Sequence, residues 1–312
     1  MAEHIRVAVL RGGPDAEHEV SLASGGRVLA ALRRDPRFNA TDHVIDRPTI
    51  DELAALEVDV VFPVLHGPFG EGGELQQRLE AAGLPYVGSG PEASQLAMDK
   101  AATNTACSEV GVPTAPWAML TPGEACPLPS PVVVKPVNEG SSVGVRLCRS
   151  ADELDSARSE LQDQYPDLMA EAFIKGRELT VGIAGDRTLP IIEIRPAVTF
   201  YDYEAKYERN DTEYILEPEL PEGIADTCAR HARTTFDCLG CRDVARVDYM
   251  LDGRGIWMLE VNTMPGFTDH SLLPKAAQHA GTGMTELCAG LVCRALDRNR
   301  DRAPGTSSIP GD

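Results

Sequence analysis

The chain has 312 residues, 43% of them hydrophobic and 25% charged, ordinary proportions for a globular chain of two or three domains. Its formal net charge of −19 argues against nucleic acid or an anionic membrane as a partner, and any anionic substrate needs a few placed Lys, Arg or metal ions. No run of about 18 apolar residues is present, so no transmembrane helix is expected. The N-terminus enters a strand pattern directly, without a signal peptide, which gives a cytoplasmic expectation.

Ile5 to Leu10 is a short apolar run that suits a buried strand, broken by Arg11-Gly12-Gly13-Pro14. Ser21 is placed to cap a helix through Val28, Leu29 and Leu32. A strand, a glycine turn and a helix start make an anion site, but the G-x-G-x-x-G dinucleotide fingerprint is absent. Glu17 in this turn suits either dipole compensation or a substrate amine. A second buried strand, Asp59 to Leu65, ends at His66-Gly67, the strand end where α/β sheets gather ligands. A helix over Glu74 to Ala82, a short third strand at Tyr86-Val87-Gly88 and the strand–helix alternation point to a parallel sheet.

Pro91 to Val110 reads as one Ala-rich helical stretch with Lys100 inside it. After a Pro-rich connection come a strand at Val132 to Lys135, a helix from the capping box Ser150 to Glu153 through Leu161, and strands at Leu168 to Ile174 and Leu179 to Ala184. Together they read as a small α+β module. Asn138 to Gly144 is rich in small residues, which suits backbone approach to phosphate and equally suits an ordinary Gly/Ser turn. Phe200 to Tyr214 interleaves Tyr201, Tyr203, Tyr207 and Tyr214 with charges, a composition for a lid or binding loop, or for a surface loop packing its own aromatics.

A helix over Pro221 to Leu239 leads to Arg246-Val-Asp248 and Glu260-Val-Asn262, which flank Gly253-Arg254-Gly255 as a β-hairpin. A three-residue loop sets Asp248 across from Glu260 and Arg246 across from Asn262. Val247, Tyr249, Leu251, Trp257, Leu259 and Val261 then share the opposite face. Two carboxylates and an amide on one face suit a hard cation such as Mg²⁺, whose charge relieves their repulsion; a solvated face of mixed charge is the plain alternative. Ser271 is placed to cap a following helix, and Met284 to Leu296 is a last amphipathic helix. The eight cysteines make no disulfide framework, and Cys238-Leu-Gly-Cys241 reads as buried thiols at a helix end.

Read together, several phrases resemble the D-alanine–D-alanine ligases of the ATP-grasp fold. They are Gly12-Gly13 with Ala16 to Ser21, Leu65-His66-Gly67, Met98-Asp99-Lys100, Val134-Lys135-Pro136, Glu139 to Gly144, Phe200 to Tyr207, Arg246 to Asp248, Glu260 to Gly266 and His270 to Leu272. The resemblance runs from Ile5 to about Leu296. It implies an α/β fold with α+β character in the centre. Residues 1–96 would form a Rossmann-like substrate domain, 97–178 a small central ATP-grasp subdomain and 179–300 a catalytic α+β domain; residues 301–312, polar with Gly, Pro and Ser, are by composition a disordered tail.

The implied reaction joins two D-alanines for peptidoglycan. The first carboxylate attacks the ATP γ-phosphate to give an acyl phosphate, and the second amine displaces phosphate. By the same resemblance Glu17 holds the first ammonium with Ser141 and Tyr207, and His66 lies beside that substrate. Arg246 and the Gly266 N–H stabilise developing charge. Lys100, Lys135, Glu171, Ile174, Glu178 and Lys206 bind ATP; Ser271 and Leu272 take the second carboxylate; Asp248, Glu260 and Asn262 hold two Mg²⁺, with Mn²⁺ as a substitute. A homodimer is implied. Departures are Gly70-Glu71-Gly72-Gly73, where Gly-Glu-Asp-Gly is common, and Asp15, where Ser is common. Alternatives are the same chemistry with D-lactate or another D-amino acid, and a non-catalytic nucleotide-binding regulator.

Overall fold

The computed structural model describes residues 4–196 and 212–302. Lys206 and Tyr207 of the expected lid, and residues 303–312 of the expected tail, lie outside the described residues.

The chain opens with β1 (Ile5–Gly12), α1 (His18–Arg33), β2 (Phe38–Ile45), α2 (Ile50–Ala54) and β3 (Val60–Pro63). The strands form a parallel sheet in the order β2-β1-β3. Val7 to Leu10 are fully buried, the continuous apolar run of a parallel strand covered on both faces. The third strand expected at Tyr86-Val87-Gly88 is reduced to a single parallel bridge, Val61 to Tyr86. Gly88 leaves the ladder because its φ is +104° and its N–H donates to the Asp243 carboxylate at 2.8 Å.

Four short helices follow: α3 (Gly67–Glu71), α4 (Glu74–Ala81), α5 (Pro91–Met98) and α6 (Lys100–Glu109). The last two were expected as one helix. Asp99 divides them: its backbone is extended, and its side chain accepts the Ala102 N–H as the cap of α6. Lys100 thereby becomes the first residue of a helix rather than a mid-helix position. Ser21 likewise is not a cap. It lies inside α1, accepting from the Gly12 N–H at 2.8 Å and donating to the Val64 carbonyl at 2.5 Å, so it ties the ends of two strands to the helix.

The central module holds β4 (Trp117–Met119), β5 (Val132–Pro136), β6 (Arg146–Cys148), α7 (Ala151–Leu161) and β7 (Leu168–Ala172). Its sheet is antiparallel in the order β4-β7-β5-β6, and Leu154, Ala157 and Leu161 of α7 pack on Val132, Val134 and Leu168. The Ser150 side chain caps Glu153 N–H, but Glu153 returns its bond to Arg149 N–H, so the capping box is half made.

The remaining elements are β8 (Arg177–Ala184), β9 (Arg187–Thr188), β10 (Ile192–Arg195), β11 (Glu213–Leu216), α8 (Ile224–Cys238), β12 (Val244–Asp252), β13 (Gly255–Asn262), α9 (Leu272–His279) and α10 (Met284–Arg302). Their antiparallel sheet runs β11-β10-β8-β12-β13, with β9 alongside β8. One apolar face, with Leu179, Val181, Val247 and Tyr249, packs on Phe236 and Cys228 of α8. The other face points at the rest of the molecule. Leu273 and Val292 of α9 and α10 share a core with Val7 and Val28, and Phe62 meets Phe267 edge-on at 5.6 Å.

The hairpin differs from its expected turn. Asp252 pairs with Gly255, so two residues make the turn instead of three. A bulge between Asp248 and Tyr249 takes up the difference, and the pairs Arg246–Asn262 and Asp248–Glu260 stand as expected. Between turn and bulge the faces exchange: Met258 is buried, whereas Trp257 turns outward and donates its indole N–H to Asp252.

Asp243, just before β12, joins the ends of the chain. Its buried carboxylate accepts from Gly88 N–H at 2.8 Å and Arg298 at 2.6 Å, and Arg298 also donates to the Tyr86 carbonyl. Asp243→Ala strands the Arg298 charge and the Gly88 N–H, so it is expected to cost about 3 kcal/mol of stability. Chemical denaturation checks this; an unchanged midpoint contradicts it.

Candidate functional site

Two adjoining clefts lie on the inner face of the C-terminal sheet. One, of about 820 Å³, opens between α1, α3 and α9; the other, of about 940 Å³, lies under the central sheet. Lys100, Asp248 and Glu260 line both, so they stand where the two spaces meet.

The first cleft takes Glu17, His66, Ser141, Arg246, Asn262, Gly266, Ser271 and Leu272. Ser141 belongs to the loop between β5 and β6. Its φ is +51° and that of Ser142 is +61°, left-handed values that turn the loop sharply and bring the Ser141 hydroxyl onto the Glu17 carboxylate. The loop and the first helix are thus joined across the cleft. Ser271 precedes α9 but does not cap it by its side chain: its hydroxyl accepts from Thr268 N–H at 2.9 Å. A Cβ on Gly266 would come 2.7 Å from that hydroxyl, so a larger residue there would push the Ser271 side chain aside.

The second cleft takes Lys135, Glu171 and Ile174, and Glu178 lines both. Lys135 forms a buried ion pair with Glu171 at 2.7 Å, and Asn104 donates to the same carboxylate at 3.1 Å. Lys100, buried at the start of α6, donates to the Glu139 carbonyl. Burial lowers its pKa, against the opposing pull of Glu260. Met250 and Leu259 add apolar wall, as the half-exposed side of the hairpin beyond its bulge.

At the junction, Asp248 is buried and accepts three hydrogen bonds. Arg246 forks onto it, Nε to Oδ1 at 2.9 Å and Nη2 to Oδ2 at 2.7 Å. Thr180 donates to Oδ1 at 2.5 Å. Asn262 Oδ1 accepts from Met264 N–H at 2.9 Å, which fixes its orientation and leaves its second lone pair for a further partner. A cationic group already rests on Asp248, and Glu260 lies directly across the strand pair. Among the described residues no group of three or more His, Cys, Asp or Glu has metal-holding geometry. Two carboxylates and an amide oxygen are nevertheless the ligand chemistry that would suit a hard cation.

Glu71, Thr180 and Asn104 join the site without a sequence signal that marks them, Glu71 lying within the Gly70 to Gly73 phrase. Glu71 is buried on the first cleft and accepts from Gly67 N–H at 3.1 Å. Asp15, the other departure, accepts from Phe69 N–H at 2.8 Å, at the start of α3. His66 is buried, and burial lowers its pKa; its Nε2 has no partner among the described residues.

Burial and the nearby Glu17 charge push the Glu71 carboxyl from its ordinary 4.5 to about 8. The folded chain therefore holds a proton that the unfolded chain releases above about pH 4.5. The stability this contributes is complete below that value and lost as pH rises towards about 8. Glu71→Gln removes the loss. Its melting temperature relative to the parent chain is expected to rise between about pH 5 and pH 8; a constant difference contradicts the assignment.

The chain is similar to known proteins over most of its length. Family models described as D-ala D-ala ligase N-terminus and D-ala D-ala ligase C-terminus match residues 39–89 and 107–293. A D-alanine–D-alanine ligase of Gluconobacter oxydans is 42% identical over 306 residues, covering 94% of this chain and 100% of that protein. One of Citrifermentans bemidjiense is 44% identical, covering 90% and 93%. The crystal structure of the Bacillus anthracis D-alanine–D-alanine ligase complexed with ATP superposes with a TM-score of 0.83 at 30% identity, covering 96% of this chain and all of that one.

Proposed function

This chain belongs to the D-alanine–D-alanine ligase family, and from that membership we propose that it joins two D-alanine molecules at the expense of ATP, through an acyl phosphate, to supply D-alanyl-D-alanine for peptidoglycan. The observation that carries the reading is the meeting of two clefts at Lys100, Asp248 and Glu260. One cleft has the size and polar lining for two small amino acids, the other an apolar wall and lysines for a nucleotide. A phosphoryl group passing between them crosses at the acids.

In this reading a carboxylate, a poor electrophile towards an amine, gains a leaving group by phosphorylation. Glu17 holds the first ammonium, oriented by Ser141, with His66 alongside. Lys100 and Lys135 contact phosphates as compact cations, and Lys135 exchanges or shares its Glu171 partner as it does so. Ile174 packs against the base, and Glu171 and Glu178 take its polar edge and the ribose. Arg246 leaves its fork on Asp248 for the transferring phosphoryl group, then for the tetrahedral oxyanion, with Gly266 N–H as a second donor. Ser271 and the Leu272 N–H hold the second carboxylate at the start of α9. Asp248, Glu260 and Asn262 would hold Mg²⁺, or Mn²⁺ in its place, which supplies charge neutralisation and alignment at the phosphates. Lys206 and Tyr207, outside the described residues, are assigned to ATP and to closure over the first substrate.

The proposal extends to the three-domain division at residues 96 and 178, a homodimer and a cytoplasmic location. Incubation with ATP, Mg²⁺ and D-alanine, followed by mass spectrometry, tests the activity. D-alanyl-D-alanine with ADP is expected; ATP turnover without the dipeptide contradicts it.

A further inference from the structure

We propose that Thr180 is a positioning residue for the metal ligand Asp248, the hydrogen bond that keeps this carboxylate aimed at the cleft junction when Arg246 leaves it. The inference rests on the ligase reading's metal assignment and adds a residue to it.

Thr180 lies on β8 directly across from Asp248 on β12, so both side chains stand on the cleft face of the sheet. Its neighbours along the strand, Leu179 and Val181, point into the opposite, apolar core. Thr180 and Asp248 are both nearly inaccessible, at 2% and 4% exposure. A hydroxyl in that setting costs free energy unless bonded, and a valine of the same shape would avoid the cost. The hydroxyl meets Asp248 Oδ1 at 2.5 Å, the short contact of an O–H donor to a charged acceptor; its other neighbour, the Val247 carbonyl, is 3.5 Å away. The single proton therefore goes to the carboxylate.

Arg246 also bonds Oδ1, from a fork that fixes both oxygens. That fork is a moving part in the proposed chemistry, since the guanidinium turns to the substrate. Thr180 is held by the sheet ladder and does not move with it. It constrains the carboxylate plane while leaving lone pairs on both oxygens for a cation. Hydrogen bonds of this kind to a ligating group commonly set metal affinity by about 10–100-fold.

The experiment measures Mn²⁺ binding by electron paramagnetic resonance in the presence of a non-hydrolysable ATP analogue, so turnover plays no part in the reading. It compares the parent chain with Thr180→Val, Thr180→Ala and Thr180→Ser, after melting curves identify which variants are folded. Weaker Mn²⁺ binding by about 10–100-fold is expected in the Val and Ala variants, with Ser restored close to the parent. Parent-like binding in any folded variant without the hydroxyl overturns the proposal, as does a Ser variant as weak as Val. If the parent chain itself binds no Mn²⁺, the metal assignment beneath the proposal fails, a result distinct from equal binding across the series.

Discussion

Arg246→Ala is expected to lower kcat by about 10³-fold or more, the scale of an arginine that stabilises a transferring phosphoryl group. The guanidinium is held on the floor of the amino-acid cleft, its side chain 15% exposed, by the fork onto Asp248. It lines the same cleft as Lys100 and Glu260, where the phosphoryl group crosses in the proposed reaction. Charge grows on that group during transfer and again on the tetrahedral oxygen, so a cation placed in advance lowers both barriers. The loss should fall on kcat more than on either KM, because the interaction is made in the transition state. Arg246→Lys keeps the charge but loses the planar fork, and is expected to recover only part of the rate. Phosphate release at saturating ATP and D-alanine measures it; a kcat within about tenfold of the parent removes Arg246 from the chemistry. The Ala variant also leaves the Asp248 carboxylate buried without its counter-charge, so its melting temperature must be recorded beside its rate.

Glu260→Gln is expected to reduce turnover by about 10²-fold or more, with partial recovery as Mg²⁺ is raised. The substitution keeps shape and one oxygen but removes the charge that faces Asp248 across the strand pair. It separates two readings by opposite signs. If the acids serve a cation, losing one weakens the site. If they are only a charged strand face, the change relieves repulsion, leaves turnover alone and stabilises the fold. Turnover equal to the parent at ordinary Mg²⁺ would therefore dismiss the metal role outright.

The pairing at this junction was legible in the chain because residues two apart on a strand share a face, and the separation of Arg246-Val-Asp248 from Glu260-Val-Asn262 set the register. The turn between them was not. A two-residue turn with a bulge gives the same far-end register as a three-residue loop, and only packing chooses between them; Met258 goes inside and Trp257 keeps its N–H on Asp252. The parallel sheet was legible from the apolar runs at Val7 to Leu10 and Val60 to Phe62. The break at Asp99 was passed over, although an Asp before a Lys-Ala-Ala run carries the signature of a cap inside a helical stretch. Contacts made across elements left no local trace. Thr180 reads as one more strand residue until register sets it against Asp248, and nothing near Lys135 announces its pairing with Glu171.

In the proposed reaction the carboxyl oxygen of one amino acid attacks the terminal phosphorus of ATP before any peptide bond forms. The most direct measurement supplies D-alanine whose carboxylate carries heavy oxygen and weighs the inorganic phosphate released. Heavy oxygen transferred into that phosphate, one atom with each dipeptide made, is the predicted result. Phosphate that leaves unlabelled while dipeptide accumulates would contradict it.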